Sequence, residues 1–220
     1  MTKRVISVFL CVLCVISSIS FIVSAKENKE YTSDNFLSVA DGIIAWKKAD
    51  NGSEPDDKYL ENAGTTPGDW YPIALGRLGI QDNNEGYLAV IKDRVEERYR
   101  ESGRLSAAKA TEWHRIALAV LAMGGDPTNF GTDENGAPIN LIADGTYDRG
   151  KTTPLGRQGI NGWIWGLITL DSMRYTVPDG AYNTRDDIIV EIISKQLSDG
   201  GFALSSDDAD PDITAMAITA

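Results

Sequence analysis

The densest chemistry lies near the end of the chain, where Asp207, Asp208, Asp210 and Asp212 precede the apolar run Ile213-Thr-Ala-Met-Ala-Ile218. Carboxylates spaced in this way can gather calcium through hard oxygen ligands. They can equally sit at a helix start, where orphan N–H groups and the helix dipole favour negative charge. The glycine and the distant glutamate of an EF-hand loop are missing, so the helix start is the simpler reading. It makes Asp210 and Asp212 the caps, with Pro211 near the first turn. Other metal ligands are scarce: His114 is the single histidine, and the two cysteines, Cys11 and Cys14, both lie before residue 25. A thiolate zinc site is therefore excluded beyond that point, His114 reads as a polar neighbour of Trp113, and no metal or cofactor is expected. No Ser/His/Asp set at nucleophile-elbow spacing occurs. Asp133-Glu-Asn-Gly136 reads as a turn before it reads as a ligand set.

The remaining candidates are aromatic. Trp70, Tyr71, Trp113, Trp163 and Trp165 fall at or beside apolar helical runs. There they either complete a core or line a cavity for a large apolar or planar ligand.

The elements that would position these residues repeat along the chain. Asp69-Trp-Tyr-Pro-Ile-Ala74, Glu112-Trp-His-Arg-Ile-Ala117, Asn161-Gly-Trp-Ile-Trp-Gly166 and Asp212-Ile-Thr-Ala-Met-Ala217 each set a polar residue before an apolar run, with a small residue at one fixed point. Their spacings of 43, 49 and 51 residues suit a two-helix repeat. Apolar around most of their circumference, these runs read as inner helices. Charged, amphipathic segments between them (34–48, 85–100 and 185–197) read as outer helices, with a shortened one over 138–144. The Gly-, Pro- and Asp-rich stretches 51–68 and 145–156 read as loops. Tyr99-Arg-Glu-Ser-Gly103-Arg-Leu105 matches Gln196-Leu-Ser-Asp-Gly200-Gly-Phe202 about two repeats later. In both, glycine ends a helix and an apolar residue folds back on it.

Lys3 and Arg4, the apolar run Val5 to Val23 and the small residues Val23-Ser24-Ala25 make residues 1–25 a secretory signal, an uncleaved membrane anchor being the alternative. The expected organisation is thus a signal over 1–25 and one repeat domain over 26–220, either secreted or at the cell surface. A cysteine-free exported domain suits a bacterial surface. Losing Lys3 and Arg4 takes the net charge from −11 to −13. Nucleic acid and anionic membranes are then excluded as partners, unless an anchor follows the chain. An apolar or planar small molecule, or another surface protein, is the expected partner.

Gln196-x3-Gly200-x-Phe202 resembles the glutamine-tryptophan repeat of the squalene cyclase and prenyltransferase-like family, with phenylalanine in the tryptophan position. Asp210-Pro-Asp212-Ile-Thr-Ala215 is similar to that family's Asp-x-Asp-Asp-Thr-Ala segment, and Asp212 to Ala217 resembles the matching helix start of transcobalamin-type cobalamin carriers. The resemblance implies an all-α fold, an α/α toroid of alternating outer and inner helices. A full ring has about a dozen helices, against seven or eight readable here, so the chain is expected to be a fragment of it. By the same resemblance Asp212 would be a cyclase's general acid and Asp210 its partner. Ile213 stands in place of the third aspartate, which removes part of the polar surround such an acid needs. A non-catalytic binding or interaction module is therefore the preferred reading, with a cyclase-like isomerase as the alternative.

Overall fold

The structure, a computed structural model, describes residues 33–50, 58–149 and 153–220. The expected signal and the start of the following domain at residue 26 lie outside these. The chain divides into two compact units, 1–56 and 57–220. The first contributes one described helix, α1 (Ser33–Asp50), on which Val39, Ile43 and Trp46 form an exposed apolar stripe at i, i+4, i+7 spacing.

Among its described residues the second unit is all-α. It runs α2 (Lys58–Glu61), α3 (Thr66–Leu78), α4 (Asn84–Ser102), α5 (Thr111–Ala122), α6 (Ile160–Asp171), α7 (Arg185–Ile193) and α8 (Pro211–Thr219). A wide π-turn at Ala143–Tyr147 and a 3-10 turn at Leu155–Gln158 lie between α5 and α6. Extended pairing among the described residues is confined to one isolated bridge between Thr132 and Pro138.

The amphipathic pattern explains which helices sit inside. On α4 only Tyr87, Ile91, Val95 and Tyr99 are buried, one stripe at i, i+4 spacing, while the charged residues face out. On α5 the buried set wraps the helix: Trp113, His114, Arg115, Ile116, Ala117, Ala119 and Val120. Helix α6 is similar, burying Ile160, Ile164, Leu167 and Leu170 together with Gly162 and Gly166. The apolar helices pack in chain order, α3 on α5, α5 on α6 and α6 on α8, with α7 against α6 and α2 against α3 and α4. Two glycines allow close approach. A Cβ at Gly76 would strike the Ala122 carbonyl on α5, and one at Gly162 would strike the Leu155 carbonyl.

The structure corrects several expectations in detail. The aligned polar residue does not cap its helix: Glu112, Asn161 and Asp212 take the second helical position, and Asp69 the fourth. The small residue is buried at Ala117 and Gly166, but Ala74 is exposed and Ala217 half-buried, because α3 and α8 are flanked on fewer sides. Residues 58–61 and 66–68 of the expected 51–68 loop are helical. Of the helix expected over 138–144 only 141–144 are helical, continuing into the π-turn Ala143–Tyr147, while Pro138 makes the isolated bridge. Helix α7 stops at Ile193, short of Leu197. Of the paired glycine signals one stands: Gly103, left-handed at φ 65, ends α4, whereas Gly200 at φ 87 lies in a turn after Leu197, seven residues beyond the end of α7; Leu105 and Phe202, two residues on, are both buried.

Candidate functional site

The five candidate aromatic residues part company in the structure. Trp70, one turn into α3, is 43% exposed, and its ring lies 5.5 Å from that of half-buried Trp165 on α6, tilted by 55°. Both α3 and α6 pack against α5. The indole pair therefore draws together two helices adjacent to a common third, and forms a tilted aromatic surface open to solvent. Asn161 and Ile168, half-buried, share Trp165's stripe at i−4 and i+3. Tyr71 is half-buried beside Trp70, its phenol raised by burial and by the Asp82 charge. Trp163 packs elsewhere, against the 3-10 turn, where a Cβ on Gly156 would come 3.0 Å from its indole nitrogen.

Trp113 is fully buried and belongs to a different cluster. Its Nε1–H donates to the Tyr99 hydroxyl (2.7 Å), which donates to Asp144 Oδ2 (2.6 Å). The guanidinium carbon of buried Arg149 lies 5.0 Å from the Trp113 ring centroid. Arg149 ties its own loop together by donating to the main-chain carbonyls of Asp144 (2.8 Å), Gly145 (3.3 Å) and Thr153 (2.7 Å). Burial lowers its pKa to about 10 despite the nearby Asp144 carboxylate. His114, also fully buried, donates from Nε2 to the Gly145 carbonyl at 2.7 Å. Burial holds its pKa down at about 3, opposed by that hydrogen bond and assisted by Arg149, so the ring is neutral. With Nε2 protonated, Nδ1 carries the lone pair, and it has no hydrogen-bond partner among the described residues.

A third cluster welds α3, α4 and α5. Asp69 is fully buried. Its Oδ1 accepts from the Gly64 N–H (2.6 Å) and the Tyr87 hydroxyl (2.7 Å), and its Oδ2 from Arg115 Nε (2.8 Å). Arg115 also donates to Thr66 Oγ1 (2.9 Å), to the Gly64 carbonyl (3.1 Å) and, through both terminal nitrogens, to Glu112 (2.7 and 3.0 Å). Every strong donor of the guanidinium is thus matched, as a buried pair requires. The sequence reading missed this site. Its signal was a cation inside the apolar run Trp113-His-Arg-Ile116, a position where charge is rare unless paired.

The acidic segment resolves into local structure. Asp210 is the cap of α8, its Oδ1 accepting from the N–H groups of Asp212 (2.8 Å) and Ile213 (3.0 Å). Asp212 sits in the first turn with an exposed side chain and does not itself cap the helix. Phe202 is pinned beside it, donating its N–H to Thr214 Oγ1 (2.9 Å), and Gln196 Nε2 donates to the Gly200 carbonyl (2.8 Å). Among the described residues no three His, Cys, Asp or Glu side chains gather as a metal site, and Asp207 and Asp208 are exposed. Asp133 is a turn former: its Oδ1 accepts from the N–H groups of Asn135 (2.8 Å) and Ala137 (2.9 Å). A cavity of about 290 Å³ lies beside it, lined among others by Tyr99, Glu134, Ile139, Asp144 and Asp148.

Among the described residues the Trp70–Trp165 pair brings two indole rings together at a partly exposed position, which suits holding a flat apolar ligand. No family model, curated protein or solved structure matches the chain.

Proposed function

We propose that this chain is an exported bacterial domain of the α/α-toroid kind that binds an apolar or planar small molecule on the face built by Trp70 and Trp165, without catalysis. The single observation behind the reading is the indole pair. Two tryptophans 95 positions apart in sequence meet with their rings tilted by 55° at a surface that leaves Trp70 43% exposed. Large apolar side chains held half in water by inner helices are what a ligand-binding wall looks like before its ligand arrives. The inner helices stacked in chain order support the toroid kind of fold, and the motifs around Gly200 and Asp210 support the family resemblance. Export rests on the residue pattern of 1–25.

The cyclase alternative draws no support from Asp212, whose exposed carboxylate lies in water instead of a tuned polar pocket. Exposed Val190, Ile193 and Ile218 on α7 and α8 favour a second use of the domain, contact with another surface protein.

Cobalamin and farnesol serve as planar and apolar probes, with binding read by equilibrium dialysis and by tryptophan fluorescence. At least one is expected to bind saturably to the wild-type chain. The pair of substitutions Trp70→Ala and Trp165→Ala is expected to weaken binding at least tenfold, about 1.4 kcal/mol, with unchanged far-UV circular dichroism. Binding that survives both substitutions, or no binding of either probe, refutes the proposed face.

A further inference from the structure

We infer that His114 is an acid-sensitive latch on the π-turn: adding a proton to its imidazole releases the 143–149 segment from α5 and opens the wall of the neighbouring acidic cavity. The inference is independent of the Trp70–Trp165 site.

Geometry carries it. The imidazole is fully buried, and its one hydrogen bond among the described residues goes to the Gly145 carbonyl, in the middle of the π-turn. That carbonyl also accepts from Arg149, so the turn is held from two sides. A proton on Nδ1 would create a buried N–H with no acceptor among the described residues, and a second buried cation near Arg149. Gly145 itself is pressed against α5, where a Cβ would come 2.8 Å from that of Trp113, so the turn cannot slide to accommodate the change. The same turn supplies Ala143, Asp144 and, just beyond it, Asp148 to the cavity lining. Single π-turns occur often at functional sites.

Among the described residues the groups around His114 leave the added charge uncompensated. On α3, Asp69 is engaged by Arg115. On α5, Glu112 is engaged by Arg115. On α4, Arg98 reaches Glu112, and Tyr99 is bonded to Asp144. On the loop, Tyr147 and Asp148 are half-buried and exposed, and Asp171 of α6 pairs with Arg185. Among the described residues the charge that acts appreciably on His114 is Arg149, of the same sign.

The sign follows from linkage. The closed state holds the histidine well below its free value of about 6.5, so closure is favoured above that pH and is lost as pH falls. Each pH unit below about 6 multiplies the open population about tenfold, until the pH nears the closed-state value of about 3.

The test is amide hydrogen exchange on the full chain between pH 7 and 4.5, corrected for intrinsic rates. The reporters are the Asp148 N–H, bonded to the Ala143 carbonyl, and the Asn183 N–H, bonded to the Tyr147 carbonyl. Their protection is expected to fall about tenfold per pH unit while the α7 amides hold. His114→Gln, which keeps a neutral donor for Gly145, is expected to abolish that dependence. Since the chain has one histidine, its C2 proton resonance in the wild type gives a second reading without assignment. An imidazole that titrates near 6.5 with protection unchanged overturns the inference. So does a pH dependence that persists in His114→Gln, or a loss of protection spread evenly over α3 to α7.

Discussion

Replacing Arg115 by Met removes the guanidinium and keeps the apolar stem, leaving the Asp69 carboxylate in place with no exposure to solvent. Two of its donors remain, the Gly64 N–H and the Tyr87 hydroxyl, and its cation is gone. Breaking one side of a buried pair costs about 3–5 kcal/mol, mostly the cost of the stranded charge. The two surviving hydrogen bonds put the expected loss near the lower end, about 3 kcal/mol. In a unit of this size each kcal/mol lowers Tm by about 2–4 °C, so the melting point should fall by about 6–12 °C. Glu112→Gln is the internal comparison. It removes the other carboxylate on Arg115, one with 17% of its side chain exposed, and should cost less than Arg115→Met, because Asp69 still neutralises the guanidinium and no charge is stranded. Adding Asp69→Asn to Arg115→Met removes the stranded charge and should restore at least about 1 kcal/mol. Urea unfolding followed by far-UV circular dichroism gives all four values on one scale. If Arg115→Met costs no more than Glu112→Gln, Asp69 and Arg115 do not form the buried weld described for α3 and α5.

Two smaller substitutions test the local structure. Asp210→Ala should cost about 0.5–2 kcal/mol by removing the acceptor of two N–H groups, and Asp212→Ala should fall well below that; urea midpoints giving the reverse order would return the cap to Asp212. Gly162→Ala drives a methyl group into the Leu155 carbonyl and should lower Tm by several degrees or prevent folding, whereas Gly180→Ala, with open space around it, should cost only its left-handed strain; similar melts for the two would refute the close packing of α6 on the 3-10 turn.

The helices were legible because their signals are local. Amphipathic spacing marks α4 and α7, and the apolar runs mark α3, α5, α6 and α8 within a few residues of their observed ends. What failed was local competition that periodicity does not see. The run 186–197 has helical spacing throughout, yet the chain turns after Ile193, where the Lys195 and Gln196 N–H groups bond to the carbonyls of Ile192 and Ile193. Sequence offered Asp210 and Asp212 together as caps of α8; Pro211 fits the first helical position and leaves only Asp210 in the extended conformation a cap requires. The candidate site was half legible. Tryptophan at inner-helix starts could be read from sequence; which tryptophans would meet could not, because that depends on how α3 and α6 lean across α5. Asp69 illustrates the same limit. It looks like any polar residue ahead of an apolar run, and only its three partners, brought from residues 64, 87 and 115, reveal it as an interior ion.

Those partners also link two helix contacts. A ribosome delivers Gly64, Asp69 and Tyr87 well before Arg115, which lies 46 positions beyond the carboxylate it neutralises. Without Arg115, α3 and α4 can dock only by enclosing an anion without its cation, which is costly. The ion pair thereby makes the docking of α3 on α4 and that of α3 on α5 depend on one another.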